Sequence, residues 1–404
     1  MILDNKGNIM AFTGTSEDGS TVTYKDHKRY WYLFAYVSPV IYLTSFWAYF
    51  AFGNNPLVTL IPIIWLFGVT PIIDILVGED PHNPPEEVMP AMMKDDYYRF
   101  SIYPHILTIF TVFVVTVWFV GTQSLPWWSY LALLISGGLG SGGVLTLTHE
   151  LGHKANKSDQ LMAKLGNSII GYGHFCIEHN RGHHVMVSTP EDPASARMGE
   201  SIYRFAVREI SGTFARGWLH ERERLEKLGY GFWTWRNDVL QSYALTLAIV
   251  AVCVAALGPL ILLFIIPHHM LGWYALTQAN YVEHYGLLRE KKPNGKYERT
   301  QPRHSWNTNL MFSNMQLFHL QRHSDHHANP LRPYQVLRNF DDLPTLPAGY
   351  LGCYTLAVIP PLWYKVMDKR VMDWAGGDIT KVNLDPKSKA RLIRKYGGRL
   401  VAAE

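Results

Sequence analysis

The chain has 404 residues, of which 48% are apolar and 17% charged, with a net charge of +4. Those averages suit a soluble protein, but the placement of charge excludes one: no Asp, Glu, Lys or Arg lies between Arg29 and Asp74, Arg99 and Glu150, or Asp238 and Glu283. Three scattered cysteines (Cys176, Cys253, Cys353) and no C-x-x-C exclude iron–sulfur, zinc-ribbon and c-type haem signatures, and no motif supports nucleic acid binding.

In chain order, residues 1–30 are polar and lack the apolar core of a cleavable signal peptide. They form a cytoplasmic N-terminal segment. The three uncharged stretches come next. A span needs about 20 apolar residues, so each stretch holds two spans and a turn. Turn residues fall mid-stretch, at Gly53-Asn54-Asn55-Pro56, Gly121 to Pro126 and Gly258-Pro259. The expectation is an all-α integral membrane fold with six transmembrane helices, near 31–52, 56–77, 101–121, 127–148, 239–257 and 260–281. A membrane domain over 31–380 and a cytoplasmic segment over 381–404 complete the chain.

All Lys and Arg residues lie on one side of this topology, and none falls in the three opposite turns. The positive-inside rule then puts both termini and both large polar regions in the cytoplasm.

Nine of the 18 histidines form four clusters on that side: His149-Glu150-Leu151-Gly152-His153, then Glu178-His179-Asn180-Arg181-Gly182-His183-His184, then Glu283-His284, then His323-Ser324-Asp325-His326-His327. His149/His153, His179/His183 and His323/His327 are spaced i, i+4, which on a helix places them on one face. Imidazole has no use in apolar packing, because a buried ring needs polar partners. Metal supplies them. One ion cannot take nine imidazoles and keep a position open, so two metals are expected, and imidazole alone leaves their element open.

HELGHK (149–154), EHNRGHH (178–184), NYVEHYGL (280–287) and LQRHSDHHA (320–328) together resemble the bacterial membrane-bound alkane 1-monooxygenases, which are non-haem di-iron hydroxylases. The H-x(3)-H, H-x(3)-HH and H-x(2)-HH pattern is shared with the membrane desaturases; NYVEHYGL is the more specific mark. The resemblance implies two iron ions on His149, His153, His179, His183, His184, His284, His323, His326 and His327, O2-dependent terminal hydroxylation of medium-chain n-alkanes, and residence in the bacterial inner membrane. It also implies electrons from rubredoxin, itself reduced by an NADH-dependent reductase. A basic patch at Arg391, Arg394, Lys395 and Arg399 is a candidate docking site for that carrier.

Glu150, Glu178, Glu283 and Asp325 adjoin box histidines and are candidate acceptors for the outward imidazole N–H. Asp74, an acid at an apolar helix end, and His174 and His304, near the boxes, are further candidates for such support. Trp65 and Leu66 of the second span, with Gly138 and Gly142 of the fourth, are candidate substrate-channel residues. Gly138-x-Gly140-x-x-Gly143 imitates a dinucleotide fingerprint, but inside an uncharged span it reads as close helix packing. His27, His82, His105, His220 and His319 carry no signal. His268 and His269 follow Pro267 and read as packing residues.

Two alternatives stand beside this reading. A fatty-acyl desaturase or aromatic-methyl hydroxylase would share the boxes. A membrane zinc metalloprotease would use His149-Glu150-x-x-His153 with Glu150 as general base, leaving seven clustered histidines unexplained.

Overall fold

A computed structural model describes residues 11–397. Among the described residues, six helices are long and apolar enough to cross a membrane: Trp31–Ala51, Pro56–Val77, Asp96–Thr122, Trp127–Gly152, Asp238–Leu257 and Pro259–His284. They match the expected spans, with three extensions. The third begins earlier, where the Asp95 side chain accepts from Tyr97 N and caps it. The fourth and sixth run past the apolar stretch and carry His149 and His284 on their last turns. Asn55 and Asn237 cap the second and fifth in the same way. Gly53 and Gly258, with φ of 68° and 83°, turn the chain at the end opposite the boxes.

The fourth and sixth spans approach most closely. A Cβ on Gly138 would lie 2.5 Å from Leu271 Cβ, and one on Gly142 would lie 2.4 Å from Ala275 Cβ, so only glycine lets these backbones meet. Gly138, the first of the fingerprint-like glycines, is therefore a packing residue, as expected. The second and fifth spans face outward; Ile75 and Leu76 are both 78% exposed.

Two local departures from α geometry matter for the site. The second span passes through a π turn at Trp65–Val69, where Thr70 N donates to Trp65 O. Another π turn, His179–His183, lies in the second box, where His184 N donates to His179 O.

Before the first span, β1 (Ala11–Thr15) and β2 (Thr21–Lys25) form an antiparallel hairpin, with Phe12 buried in the core. Lys28 is buried too. Its ammonium donates to Asp80 Oδ2 at 2.7 Å, and Arg322 donates to the same oxygen at 2.7 Å. His319 completes this ionic cluster, its Nε2 lying 3.4 Å from Asp80. The cluster ties the N-terminal region and the chain after the second span to the residue before His323. His319, which carried no signal in the sequence, is thus a fully buried structural residue.

A candidate dinuclear metal centre

The nine box histidines converge into two groups. His149, His153, His179, His184 and His326 form one, and His183, His284, His323 and His327 the other; within each, the candidate ligand nitrogens lie within 4.8 Å of one another. The fourth span ends in the first group and the sixth in the second.

The π turn decides how the second box divides. His179 and His183 were expected on one face because they are i, i+4. A π turn is wider, so i and i+5 align instead. His179 and His184 face each other with Nε2 atoms 2.9 Å apart, and His183 swings to the other group. In the fourth box the ordinary spacing holds for His323 and His327, whose Nε2 atoms are 2.8 Å apart. His326, one residue off that face, crosses to the first group, 2.7 Å from His149 Nε2 and 3.1 Å from His184 Nε2.

Imidazole nitrogens this close, with no other polar partner, satisfy one another poorly. A neutral ring can offer one donor and one acceptor, and His153 Nε2, His183 Nε2 and both nitrogens of His284 have no hydrogen-bond partner among the described residues. Burial among like neighbours holds His179, His184, His326 and His327 well below the usual imidazole range, in the neutral form that ligates metal. Two cations fit this donor set.

The acids beside the boxes take other roles than those expected. Adjacent residues on a helix point about 100° apart, and three of the four turn away from the rings. Glu150 pairs with Lys154 at 2.9 Å and accepts from Tyr334 N at 3.1 Å. Glu178 is bound by Arg216. Asp325 is held by Arg332, Asn329 and the backbone of Arg338. Glu283 does reach a ring, but at His323 Nε2, 3.2 Å away, on the side facing the group's interior. With Glu150 turned away, the arrangement of a metalloprotease base is missing.

The outward nitrogen of His183 finds a carboxylate that carried no sequence signal. His183 Nδ1 donates to Asp192 Oδ2 at 2.8 Å, and Asp192 in turn accepts from Ser195 Oγ and Arg216. Burial opposes the ionised form of Asp192, but His183 and Arg216 outweigh it and hold the carboxyl low. Asp192 sits in a Thr-Pro-Glu-Asp-Pro loop with no motif to mark it. Arg216 did leave a trace: Glu209, Thr213, Arg216, Gly217 and Glu221 recur at helical spacing along Ile202–Lys227, an inward-facing polar stripe.

The remaining candidates lie elsewhere. Asp74 accepts from Ser313 N at 2.9 Å and Ser313 Oγ at 2.6 Å, anchoring a neighbouring segment rather than a ring. Tyr243 Oη donates to His174 Nδ1 at 2.8 Å, and burial pushes that ring down to about 3. His304 caps its own turn by accepting from Gln301 N and lies 3.1 Å from Glu298.

An apolar cavity of about 180 Å³ leads to both groups. His149 and His179 of the first group and His323 of the second line it, with Glu283 and Asn280. Along the fourth span its wall extends from Gly137 to His149, roughly 18 Å at the α-helical rise. Of the four candidate channel residues, Leu66 and Gly142 line it. Trp65 and Gly138 do not; Trp65 Nε1 donates to Ser38 Oγ at 2.8 Å. His105, passed over in the sequence, is part of the wall.

Residues 125–357 match the fatty acid desaturase family model. The chain is 45% identical to an alkane 1-monooxygenase of Ectopseudomonas oleovorans, over 94% of both chains. It is 46% identical to alkane 1-monooxygenase 1 of Alcanivorax borkumensis over 94% of both. To an alkane 1-monooxygenase of Pseudomonas putida it is 44% identical over 93% of this chain and 94% of that one. The chain belongs to the alkane 1-monooxygenase family. The four histidine boxes of this family member are therefore embedded in a match that spans nearly the whole sequence, membrane helices included.

Proposed function

We propose that the chain is a di-iron alkane 1-monooxygenase of the bacterial cytoplasmic membrane. It converts medium-chain n-alkanes to 1-alkanols with electrons from rubredoxin. The observation that carries this reading is the cavity: an apolar tunnel-like space that ends on imidazoles of both histidine groups.

The five rings of the first group would hold one iron and the four of the second another. Bound iron supplies dioxygen reduction and oxygen insertion, with the balance alkane + O2 + two electrons + two protons giving alcohol + water. The protein supplies position. An alkane already partitions into hydrocarbon, so the apolar wall of Ala35, Pro39, Leu66, Ile109 and Val112 accepts it without desolvating polar groups. A linear chain lying along the fourth span meets His149, His179 and His323 end-first, which favours the terminal carbon. The same wall excludes water. With metal bound, Asp192 would hold the His183 ring with Nδ1 donating outward and leave Nε2 for the ion.

The Lys and Arg distribution supports a cytoplasmic box end of the bundle. Of the basic patch near the C-terminus, Arg391, Arg394 and Lys395 are exposed on the helix Lys389–Tyr396; Arg399 lies outside the described residues.

The test is anaerobic iron reconstitution in lipid, metal analysis, and turnover of octane with rubredoxin, its reductase, NADH and labelled O2. Two irons per chain and labelled 1-octanol are expected. Bound zinc with no oxygen consumption would overturn the reading; iron without octanol would redirect it to acyl chains or aromatic methyls.

A further inference from the structure

A file of aromatic rings runs from the first histidine group to the protein surface. Phe175 lies against His179, ring centres 5.3 Å apart, and Tyr172 lies against Phe175 at 6.0 Å. Tyr172 meets Trp273 at 4.7 Å. Both pack on His174, at 4.5 and 5.6 Å, and Tyr243 Oη donates to His174 Nδ1 at 2.8 Å. Trp218 stacks on Tyr243, 5.6 Å away with the ring planes 9° apart. It lines a surface pocket with the exposed Leu219 and Arg222.

These rings come from the turn before the second box, from the helix Ile202–Lys227, and from the fifth and sixth spans. Two glycines make room for them. A Cβ on Gly173 would lie 3.0 Å from the Tyr243 ring, and one on Gly217 would lie 2.9 Å from His174 Cβ.

Packing alone does not call for these residue types. Trp218 Nε1 is buried and has no hydrogen-bond partner among the described residues, so phenylalanine would stack on Tyr243 without stranding a donor. Indole and phenol share a property that phenyl lacks: they give up an electron readily. Short hops between such rings carry an oxidising equivalent faster than one long step. A second aromatic cluster near the boxes, Tyr281, Tyr285 and Trp363, differs in being wholly buried.

Oxygen activated while the cavity holds no alkane has only the protein to attack. Resting on the proposed function above, we propose that Trp273, Tyr243 and Trp218 form an escape route that carries oxidising equivalents from the centre to the surface when substrate is absent. Trp273 gives an electron to the centre past Tyr172 and Phe175, its indole N–H staying on Ile170 O at 2.9 Å. Tyr243 refills Trp273 and passes its phenolic proton to His174 Nδ1. His174 is a weak base, but an oxidised phenol is a far stronger acid than imidazolium, so the proton moves. Trp218 then refills Tyr243, and the proton returns. A small thiol refills Trp218 from solution. Two thiols become one disulfide, so a turnover without alkane balances as O2 + two carrier electrons + two protons + two thiols giving two waters + disulfide.

The test uses the full chain, loaded with iron in nanodiscs, reduced, mixed with O2 without alkane, and freeze-quenched for EPR. Wild-type protein should show an aromatic radical, assigned by ring-deuterated tyrosine and, separately, tryptophan. Tyr243→Phe should lose the tyrosyl signal. Trp218→Phe should prolong it, because the hole can no longer leave Tyr243. In both variants peptide mass spectrometry should find more oxidised box histidine, and glutathione should protect the wild type better than either. Octane hydroxylation should keep its wild-type initial rate in both, which reports an intact centre. Wild-type protein that consumes O2 without an aromatic radical, or a tyrosyl signal unchanged in both variants, overturns the proposal. Wild-type protein that binds no iron or consumes no O2 would instead overturn the reading of the centre, and this proposal with it.

Discussion

His183 Nδ1 donates a hydrogen bond to Asp192 Oδ2 at 2.8 Å, with both side chains buried. Removing the acceptor charge frees the ring to rotate and to exchange its tautomer. Asp192→Asn should therefore cost about 10–100-fold in metal affinity or activity, as loss of such partners does at other metal–histidine sites. Metal titration followed by mass spectrometry checks it. The loss should fall on the His183 group, so one of two equivalents is retained at limiting iron.

The 5:4 division of the rings makes a second prediction. His153→Ala and His183→Ala sit in different groups, so each should lower bound metal from about two per chain to about one, and the double variant to near zero. Loss of both metals from any one of His179→Ala, His183→Ala, His323→Ala or His326→Ala, or no further loss when variants of the two groups are combined, would contradict it.

Leu66 and Gly142 both line the cavity, but they should respond differently to enlargement. Leu66→Trp puts bulk into open space and should shift product formation toward shorter alkanes with little change in stability. Gly142→Val drives a side chain into Ala275 and the Gly272 carbonyl. It should destabilise the bundle by about 1–3 kcal/mol, read as a lower thermal midpoint in detergent before any change in chain-length profile.

Glu209 is buried beneath the site, accepting from Thr277 Oγ1 at 2.7 Å and Asn280 Nδ2 at 3.2 Å. Burial pushes its carboxyl up to about 7, from an ordinary value of 4.5. Between those two values the folded protein keeps a proton that the unfolded chain releases. Stability from this group is thus full below pH 4.5 and falls as pH rises to 7. Glu209→Gln should match the parent near pH 4.5 and exceed it at pH 8, by an amount on the order of 3 kcal/mol. Thermal midpoints of the two proteins across that range would show it.

Asp80 neutralises two buried cations, Lys28 and Arg322, at 2.7 Å each. Asp80→Asn leaves both uncompensated and should destabilise by about 3–5 kcal/mol. Because Arg322 precedes His323, loss of iron from the second group should accompany the drop in thermal midpoint.

The membrane spans were legible because charge in hydrocarbon is costly, and its absence over long stretches marks the chain directly. The nine histidines were legible for a related reason: imidazole repeated at helical offsets has no role in an apolar core. The companion acids were misread, since adjacency in sequence does not mean a shared direction. Glu150, Glu178 and Asp325 stand beside rings they do not support, while Asp192 reaches His183 from a loop nine residues on.

From the sequence alone came the six spans, their common box-bearing end, the nine rings and the family resemblance, all of them properties of composition and local spacing. Tertiary structure decided how the rings divide, because a π turn rotates His183 out of line with His179 and because His326 steps across from His323 and His327. It also decided which rings meet the cavity and which meet solvent. Those outcomes depend on segments up to 177 residues apart, such as His149 and His326, and no local pattern carries that distance.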